Sequence, residues 1–229
     1  MENVLAVIPA RGGSRRIPKK NIKFFLGHPI IEYSIKAALK SKLFDEVMVS
    51  TDDKEIAEIS KKLGASVPFL RSPKTAGESS PLKDVISEVL KEYSEKGKQF
   101  DHVCCILPAA PLISVKNLRI TFELLKGKDI DAVAPVVRYS HPIQRAFKIE
   151  KGLLQMISPV NIYVNSQDLP PSYHDAGQFY WLKTISFLKQ KTIFMENCLP
   201  FEIPESEVQD IDEISDWELA ETKYSLLNK

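Results

Sequence analysis

Short apolar runs alternate with helical patterns up to about residue 137, and this alternation limits the folds open to the chain. The predicted strands cover residues 4–8, 47–50, 67–70, 102–107 and 131–137. They are apolar on both faces, and such strands, when helices join them, form a parallel sheet covered by helices on both sides. The sequence therefore predicts an α/β fold with a doubly wound, mostly parallel, Rossmann-like sheet.

Helix-start signals fill the intervals between these strands. The signals are Pro29, the pair Asp52 and Glu55, Ser80 with Pro81, and Ser114. Proline suits the first turn of a helix, and Asp52 with Glu55 three residues later predicts a capping box. Four helices are therefore expected between the strands.

The alternation stops at about residue 138. Residues 138–175 are rich in Pro, Ser, Asn and Gln and lack helical periodicity, and a long irregular segment in a compact domain usually has a function. Further strands are predicted at residues 178–182, 192–196 and 201–203, and a closing helix over residues 215–227. We therefore expect one domain over residues 1–229 with an inserted segment at about 138–175.

The composition fits a globular protein with a sizeable core. The chain has 229 residues, 44% hydrophobic and 27% charged, with a net charge of +1. Near-zero net charge argues against general binding to nucleic acid or a membrane surface, and no apolar run approaches the ~20 residues of a membrane span. We expect no signal segment at the amino terminus. Cys104, Cys105 and Cys198 are expected to be buried free thiols, which indicates the cytoplasm.

Basic residues crowd one loop directly after the first predicted strand. Between Glu2 and Glu32 no acid interrupts Arg11, Arg15, Arg16, Lys19, Lys20 and Lys23. Gly12 and Gly13 allow a sharp turn whose amides approach a ligand, and a glycine turn at the carboxyl end of the first strand is where α/β folds bind phosphates. The added charges suit a polyphosphate. A solvated loop, or a patch for a nucleic-acid backbone, is the alternative.

Two carboxylates stand close together near the carboxyl end. Asp210 and Asp212 alternate along the run VQDIDE, so an extended backbone places both on one side. Carboxylates and substrate phosphates are the ligands that Mg²⁺ takes in proteins. The alternative is that these acids cap the last helix. The basic loop upstream favours the metal site, while Asp216 fits an early helix position.

The motif ARGGSRRIPKKN, followed by VMVSTDD, resembles the start of the CMP-sugar synthetases. These are the cytidylyltransferases that activate sialic-acid-like 2-keto sugar acids; the resemblance to the CMP-KDO synthetases is weaker. It implies Mg²⁺-dependent transfer of CMP from CTP to the anomeric hydroxyl of a nonulosonic acid, with release of pyrophosphate. It also implies a homodimer in which residues 138–175 form an arm that helps to cover the partner's active site.

The same resemblance places the nucleotide site. The expected nucleotide-binding residues are Arg11, Gly12, Gly13, Ser14, Arg15, Lys20, Asn21, Arg71 and Pro108. Arg71 ends the run FLRS, and Pro108 belongs to LPAAPL, where relatives have a Gln-Pro-Thr-Ser-Pro-Leu type of loop. In the family two aspartates at the spacing of Asp210 and Asp212 hold the metal. Arg11, Lys20 and Asp212 are the expected catalytic residues, whereas Arg16 and Lys19 are expected to face the solvent.

The run HDAGQFYW resembles the pseudaminic acid cytidylyltransferases. Leu107 and Ala110 stand where the sialic-acid enzymes have polar residues, which also favours pseudaminic acid. The expected sugar-binding residues are Gln144, Arg145, His174, Asp175, Gln178, Phe179 and Tyr180. Activation of sialic acid, legionaminic acid or KDO is the alternative within this chemistry. A nucleotide-sugar-dependent glycosyltransferase and a nucleic-acid-binding module are the alternatives outside it.

Overall fold

The computed structural model describes residues 2–77 and 79–228, which build a central sheet with helices around it. The strands are β1 (Val4–Pro9), β2 (Phe24–Phe25), β3 (His28–Pro29), β4 (Glu46–Ser50), β5 (His102–Ile106), β6 (Ala132–Arg138), β7 (Phe147–Glu150), β8 (Leu153–Met156), β9 (Tyr173–Asp175), β10 (Phe179–Lys183) and β11 (Cys198–Glu202). The helices are α1 (Ile30–Ser41), α2 (Lys54–Lys62), α3 (Pro73–Ala76), α4 (Leu82–Glu95), α5 (Val115–Leu125), α6 (Thr184–Gln190) and α7 (Ile214–Leu227). Within these residues no helix is long and apolar enough to cross a membrane.

The sheet is mostly parallel, which confirms the predicted fold class. Its strand order is β11-β6-β10-β5-β1-β4, with β9 also paired to β6. Strands β1, β4, β5, β6 and β11 run in one direction, and β9 and β10 run in the other. Parallel strands end at a common edge, here called the carboxyl edge. Because β10 is antiparallel, it starts at that same edge.

The core lies on both faces of the sheet, as strands apolar on both sides require. Successive residues of β5 alternate between the two layers: Cys104 packs toward one and Cys105 toward the other. Trp181 of β10 is fully buried, and its ring stacks on Phe44 at 5.3 Å and lies 4.8 Å from Phe122. The large aromatic side chain therefore joins the sheet to α5 and to the loop after α1.

Two predicted strands are wrong. Residues 67–70 form no strand, because Pro68 has no N–H to donate; only the preceding Ser66 pairs with Met48 of β4. Residues 192–196 turn instead of extending, since Lys191 adopts a left-handed backbone with φ of 52°. The strand that follows begins at Cys198 and includes most of the predicted run 201–203.

The inserted segment is more ordered than its composition predicts. Strands β7 and β8 pair as an antiparallel hairpin, and β9 joins the main sheet beside β6. Short 3-10 turns make up much of the remainder. The sequence did not predict this hairpin, because its side chains are largely exposed. Neither face therefore shows the alternation of apolar and polar residues that marks a core strand.

Candidate active site

The basic loop, which carries Arg11 to Lys23, follows β1 at the carboxyl edge. Hydrogen bonds and buried side chains fix its position. The N–H of Ala10 donates to the carbonyl of Ser50, at the end of β4, at 2.9 Å. The side-chain amide of Asn21 donates to the carbonyl of Arg11 at 2.9 Å, and Ile17 is buried. Asn21 is itself buried, and through this hydrogen bond it helps to fix the shape of the loop.

The turn at Gly12 has no space for a side chain. A Cβ there would lie 2.7 Å from Oδ2 of Asp53. That carboxylate is fixed, because its Oδ1 accepts the N–H groups of Glu55 and Ile56 at the start of α2. The capping residue of α2 is therefore Asp53, one position later than predicted. Asp52 is left to accept the Gly12 N–H at 3.0 Å, a contact that the sequence analysis missed.

The rest of the loop is less crowded. A Cβ at Gly13 would have the Arg11 guanidinium as its nearest neighbour, at 4.0 Å. The N–H of Ser14 donates to the carbonyl of Gly12 at 3.0 Å and tightens the turn. Arg11 and Ser14 are half-buried and Arg15 is exposed. These side chains are therefore accessible at the carboxyl edge.

Lys20 joins the basic loop to the carboxylate loop, residues 203–213, which leads into α7. Its ammonium donates to the carbonyl of Ile211 at 2.6 Å and lies 3.9 Å from Oδ1 of Asp212. Burial lowers the pKa of Lys20, while the charges of Asp212 and Asp210 act in the opposite direction. Ile211 is buried in one cluster with Ile17. The two loops therefore share a hydrophobic support as well as a hydrogen bond.

Asp210 and Asp212 do not cap the last helix, which was the alternative role for them. Glu213 and Asp216 form the capping box of α7, and Asp216 also accepts the N–H of Asp212 at 3.0 Å. The predicted structural role of Asp216 is therefore confirmed. Arg16 is 65% exposed yet pairs with Asp212 at 2.7 Å, so it does not simply face the solvent as expected. Burial and the Asp212 charge raise the pKa of Asp210.

The two carboxylates fit a Mg²⁺ ion that completes its shell with substrate oxygens and water. In residues 2–77 and 79–228 no group of three or more His, Cys, Asp and Glu could hold a metal ion. Mg²⁺ is usually bound by one or two carboxylates together with substrate phosphates, so a larger protein cluster is not required. The donors available here suit that mode of binding.

Arg71 is buried beside the end of β4. Its guanidinium donates to the carbonyl and the hydroxyl of Ser50, at 2.6 Å and 3.1 Å, and its own N–H donates to the carbonyl of Thr51 at 2.8 Å. Burial lowers the pKa of Arg71, and the charge of Asp52 opposes this shift. The side chain is thus held rigidly next to the contact between Asp52 and Gly12.

The run HDAGQFYW brings Asp175 next to the carboxylate loop. The Tyr180 hydroxyl and the Gly177 N–H both donate to the Asp175 carboxylate, the latter at 3.0 Å. Gly177 has φ of +61°, and a Cβ there would lie 3.5 Å from Cγ of Asp210. Burial, followed by the Asp175 charge, raises the pKa of Tyr180, so the phenol stays protonated and continues to donate.

Three of the expected sugar-binding residues are engaged elsewhere. Phe179 is completely buried, because its ring packs into the hydrophobic core that covers one face of the sheet. Gln178 is also buried, and its Nε2 donates to the carbonyl of Glu207 at 2.7 Å. Gln144 donates to the carbonyl of Pro170 at 2.9 Å, within the inserted segment. The run HDAGQFYW borders the candidate site, but the motif alone does not tell which of its side chains turn inward.

The remaining expected residues lie nearer the surface. The His174 ring is exposed and lies 4.9 Å from the ring of Tyr139. Arg145 is exposed in a 3-10 turn of the inserted segment. Pro108 is half-buried in the turn after β5. Ala110, expected to shape the sugar pocket, is buried.

The family of the chain follows from comparison with known proteins. A family model described as cytidylyltransferase matches residues 5–223. The chain therefore belongs to the cytidylyltransferase family. Nucleotidyl transfer is the chemistry that a basic glycine turn beside a carboxylate pair can support, so site and family agree.

Individual relatives extend over nearly the whole chain. A pseudaminic acid cytidylyltransferase of Campylobacter jejuni is 38% identical over 97% of this chain and 96% of its own. A CMP-N,N'-diacetyllegionaminic acid synthase of Legionella pneumophila is 33% identical over 97% of both chains. A solved CMP:2-keto-3-deoxy-manno-octonic acid synthetase complexed with CTP has a TM-score of 0.72 at 17% identity, over 98% of this chain and 99% of its own. At that identity the last comparison shows the fold alone.

Alanine at Gly12 is expected to weaken CTP binding about tenfold or more, or ~1.4 kcal/mol. The reason is that the new Cβ would displace the Asp53 carboxylate or the loop itself. Gly77→Ala is the matched control: a Cβ there would lie 3.4 Å from Oγ of Ser80, outside the basic loop, and it should alter the affinity by no more than about twofold. Titration calorimetry with CTP measures both variants. Equal affinities for Gly12→Ala and the unchanged protein would contradict this account of the turn.

Proposed function

We propose that this protein is a Mg²⁺-dependent pseudaminic acid cytidylyltransferase, which converts CTP and the sugar acid into the CMP-sugar and pyrophosphate. The observation that carries the proposal is the contact of Lys20 with Ile211 at 2.6 Å. It brings a basic glycine turn beside a carboxylate pair, and transfer of a nucleotidyl group requires both. The relatives and the run HDAGQFYW support the choice of sugar.

The reaction depends mainly on positioning and electrostatics. The anomeric oxygen of the sugar attacks the α-phosphorus of CTP and forms the new P–O bond. The bond from that phosphorus to the pyrophosphate oxygen breaks, its electron pair leaves with pyrophosphate, and the hydroxyl proton passes to the surrounding solvent. Arg11 can bind two phosphate oxygens with its planar fork, and Lys20 contributes a point charge.

Asp210 and Asp212 are the proposed ligands of the metal. Bound Mg²⁺ would neutralise charge on the triphosphate and on the leaving pyrophosphate. Asp212 pairs with Arg16 at 2.7 Å and lies 3.9 Å from the Lys20 ammonium, so two cationic side chains stand beside the proposed metal site. Arg71 beside β4 and the turn at Pro108 complete the proposed nucleotide site.

Removal of the metal with EDTA should abolish turnover, and added Mg²⁺ should restore it. Asp210→Asn and Asp212→Asn should each raise the Mg²⁺ concentration for half-maximal activity about tenfold or more, since a neutral amide is a poorer ligand for a hard cation. Asp131→Asn is the control: it disturbs the contacts of that carboxylate with Ser186 and Gln190, away from the carboxylate loop, and should lower the melting temperature without changing the Mg²⁺ requirement. Variants of Asp210 and Asp212 that behave like Asp131→Asn would contradict the metal site.

The sugar side is proposed at Asp175, with Tyr180 and the exposed His174 and Arg145. Pseudaminic acid is deoxygenated at the end of its tail and carries an extra acylated amine, so its pocket needs fewer hydroxyl partners than a sialic-acid pocket. Leu107, at the carboxyl edge, supplies an apolar side chain where the sialic-acid enzymes have a polar one. Phe179 and Ala110 are buried, so their side chains are not part of the proposed sugar pocket.

Pyrophosphate release should be fastest with pseudaminic acid. A pocket built to hydrogen-bond a hydroxyl rejects a substrate that lacks it by ~10⁴, whereas an apolar pocket rejects an added hydroxyl by only ~10². We therefore expect kcat/KM for pseudaminic acid to exceed that for N-acetylneuraminic acid by about a hundredfold. Measurements at saturating CTP should include legionaminic acid and KDO. Comparable or better efficiency with any of these would overturn the choice of sugar, and a nucleotide sugar consumed without pyrophosphate would indicate a glycosyltransferase.

We further propose a homodimer formed through the inserted segment. The hairpin of β7 and β8 exposes large apolar side chains: Ile149 is 78% exposed, Leu153 67% and Leu154 66%. Val160 and Tyr163, which follow in the same segment, are exposed even more. Contiguous apolar surface of this kind usually marks a protein–protein interface, and an interface with a second copy would be two-fold symmetric.

Charge on the hairpin should dissociate the dimer. Ile149→Glu buries an unpaired carboxylate in the proposed interface, so we expect a monomer at micromolar concentration with reduced turnover. Ile185→Glu is the matched control, because Ile185 on α6 is 81% exposed and lies outside the hairpin. Analytical sedimentation gives the oligomeric state of each. If the protein without substitutions sediments as a monomer and is fully active, the proposed dimer is wrong.

The other expectations concern the setting of the enzyme. CTP and the sugar acid are its proposed partners, and neither a nucleic acid nor a membrane is required. Cys104, Cys105 and Cys198 are free thiols, and free thiols persist in a reducing compartment. We therefore propose the cytoplasm as its location.

A further inference from the structure

The carboxylate loop is also held by a lysine of α7 that the function described so far does not use. The Lys223 ammonium donates to the carbonyl of Glu205 at 2.9 Å, to the carbonyl of Val208 at 2.6 Å and to Oε1 of Gln209 at 3.1 Å. An ammonium has three N–H donors, so these contacts use its full capacity. All three acceptors are neutral oxygens, which separates this arrangement from an ordinary surface ion pair.

Gln209 passes this restraint on to the first carboxylate. A lysine only donates, so the Gln209 amide must turn its oxygen toward Lys223 and its NH₂ group the other way. Its Nε2 accordingly donates to the carbonyl of Asp210 at 3.1 Å and approaches Oδ1 of Asp216 at 3.4 Å. The position of the Asp210 backbone thus depends on the orientation that Lys223 imposes on Gln209.

The loop has few other restraints on this side of Asp210. The buried side chains of Ile203 and Val208 anchor its first half, and Gln178 binds the carbonyl of Glu207. Lys20 binds the carbonyl of Ile211, beyond Asp210. Asp210 therefore lies between two lysine contacts, one from the basic loop and one from α7.

We propose that Lys223 is a positioning residue for the reaction: through Gln209 it sets the place of Asp210, and so the geometry of the carboxylate pair that receives the divalent cation. This inference rests on the proposed metal site. Metal binding would then depend on Lys223 of α7 as well as on the two carboxylates, although Lys223 is not part of the proposed nucleotide site.

The test measures Mn²⁺ binding in the presence of CTP, by the electron paramagnetic resonance signal of free Mn²⁺, together with the Mg²⁺ concentration for half-maximal turnover. Lys223→Met should weaken Mn²⁺ binding about fivefold or more and raise the Mg²⁺ requirement by a similar factor, because a lost charge-assisted hydrogen bond is worth about tenfold. Lys223→Arg keeps the charge, but its donors lie in one plane instead of around a single nitrogen, so an intermediate shift is expected. Lys91→Met is the matched control. Lys91 is an exposed lysine of α4, and within the described residues its ion pair is with Glu95 of the same helix.

Wild-type Mn²⁺ affinity and Mg²⁺ requirement in Lys223→Met would overturn the inference, whatever the melting temperature. If that variant does not fold, Gln209→Leu decides the matter: it keeps both backbone contacts of Lys223 and removes the side chain that connects Lys223 to Asp210 and contacts Asp216. Unchanged metal binding in that variant would overturn the inference as well. Mn²⁺ binding with CTP requires no sugar. A protein that releases pyrophosphate with no nonulosonic acid would therefore refute the proposed function while leaving this test intact.

Discussion

The hydrogen bond from the Lys20 ammonium to the Ile211 carbonyl joins segments 191 residues apart in sequence, and the geometry of the site depends on it. Basic side chains on one loop and carboxylates on another would otherwise be two separate surface features. Ile17 and Ile211 are packed in one hydrophobic cluster with Trp217, so buried apolar contacts support the hydrogen bond from beneath. A charge-assisted hydrogen bond to a backbone carbonyl is worth on the order of 1.5–3 kcal/mol, enough to fix the relative position of two loops.

The antiparallel strand β10 explains how a third part of the chain reaches the same edge. A parallel strand would have brought its amino end to the far side of the sheet. Because β10 runs against its neighbours β5 and β6, the residues before it, including Asp175 and Gly177, lie where the parallel strands end. The left-handed backbone at Gly177 then lets Asp175 turn back toward Tyr180.

Much of the fold could be predicted from the sequence, because its signals are local. The two-sided apolar strands and the start of each main helix follow from side-chain periodicity and capping residues. Residues 67–70 and 192–196 were predicted as strands because their composition is right, but Pro68 and the turn at Lys191 act on the backbone and leave periodicity unchanged. The hairpin of β7 and β8 escaped prediction because exposed strands carry no buried face to recognise.

Part of the candidate site could be predicted. Motifs singled out the basic loop and the pair Asp210 and Asp212, and the structure brings these two segments into contact. The direction of individual side chains could not be predicted, since it depends on tertiary contacts. Phe179 and Gln178 are buried although their motif borders the candidate site. Lys223 carries no local signal, because two of its three partners are backbone carbonyl groups, which every residue has.

The Gly12 turn has a consequence for the energetics of nucleotide binding. Its N–H already serves a carboxylate, that of Asp52, so a phosphate oxygen that takes this donor must exchange with an internal anion. The net gain in binding free energy is then the difference between the hydrogen bond to the phosphate and the hydrogen bond to Asp52, and not the full strength of a new hydrogen bond. The released Asp52 carboxylate stays close to Arg71, whose cationic form its charge favours. Binding of the phosphate would thus redistribute negative charge within the loop instead of simply adding it.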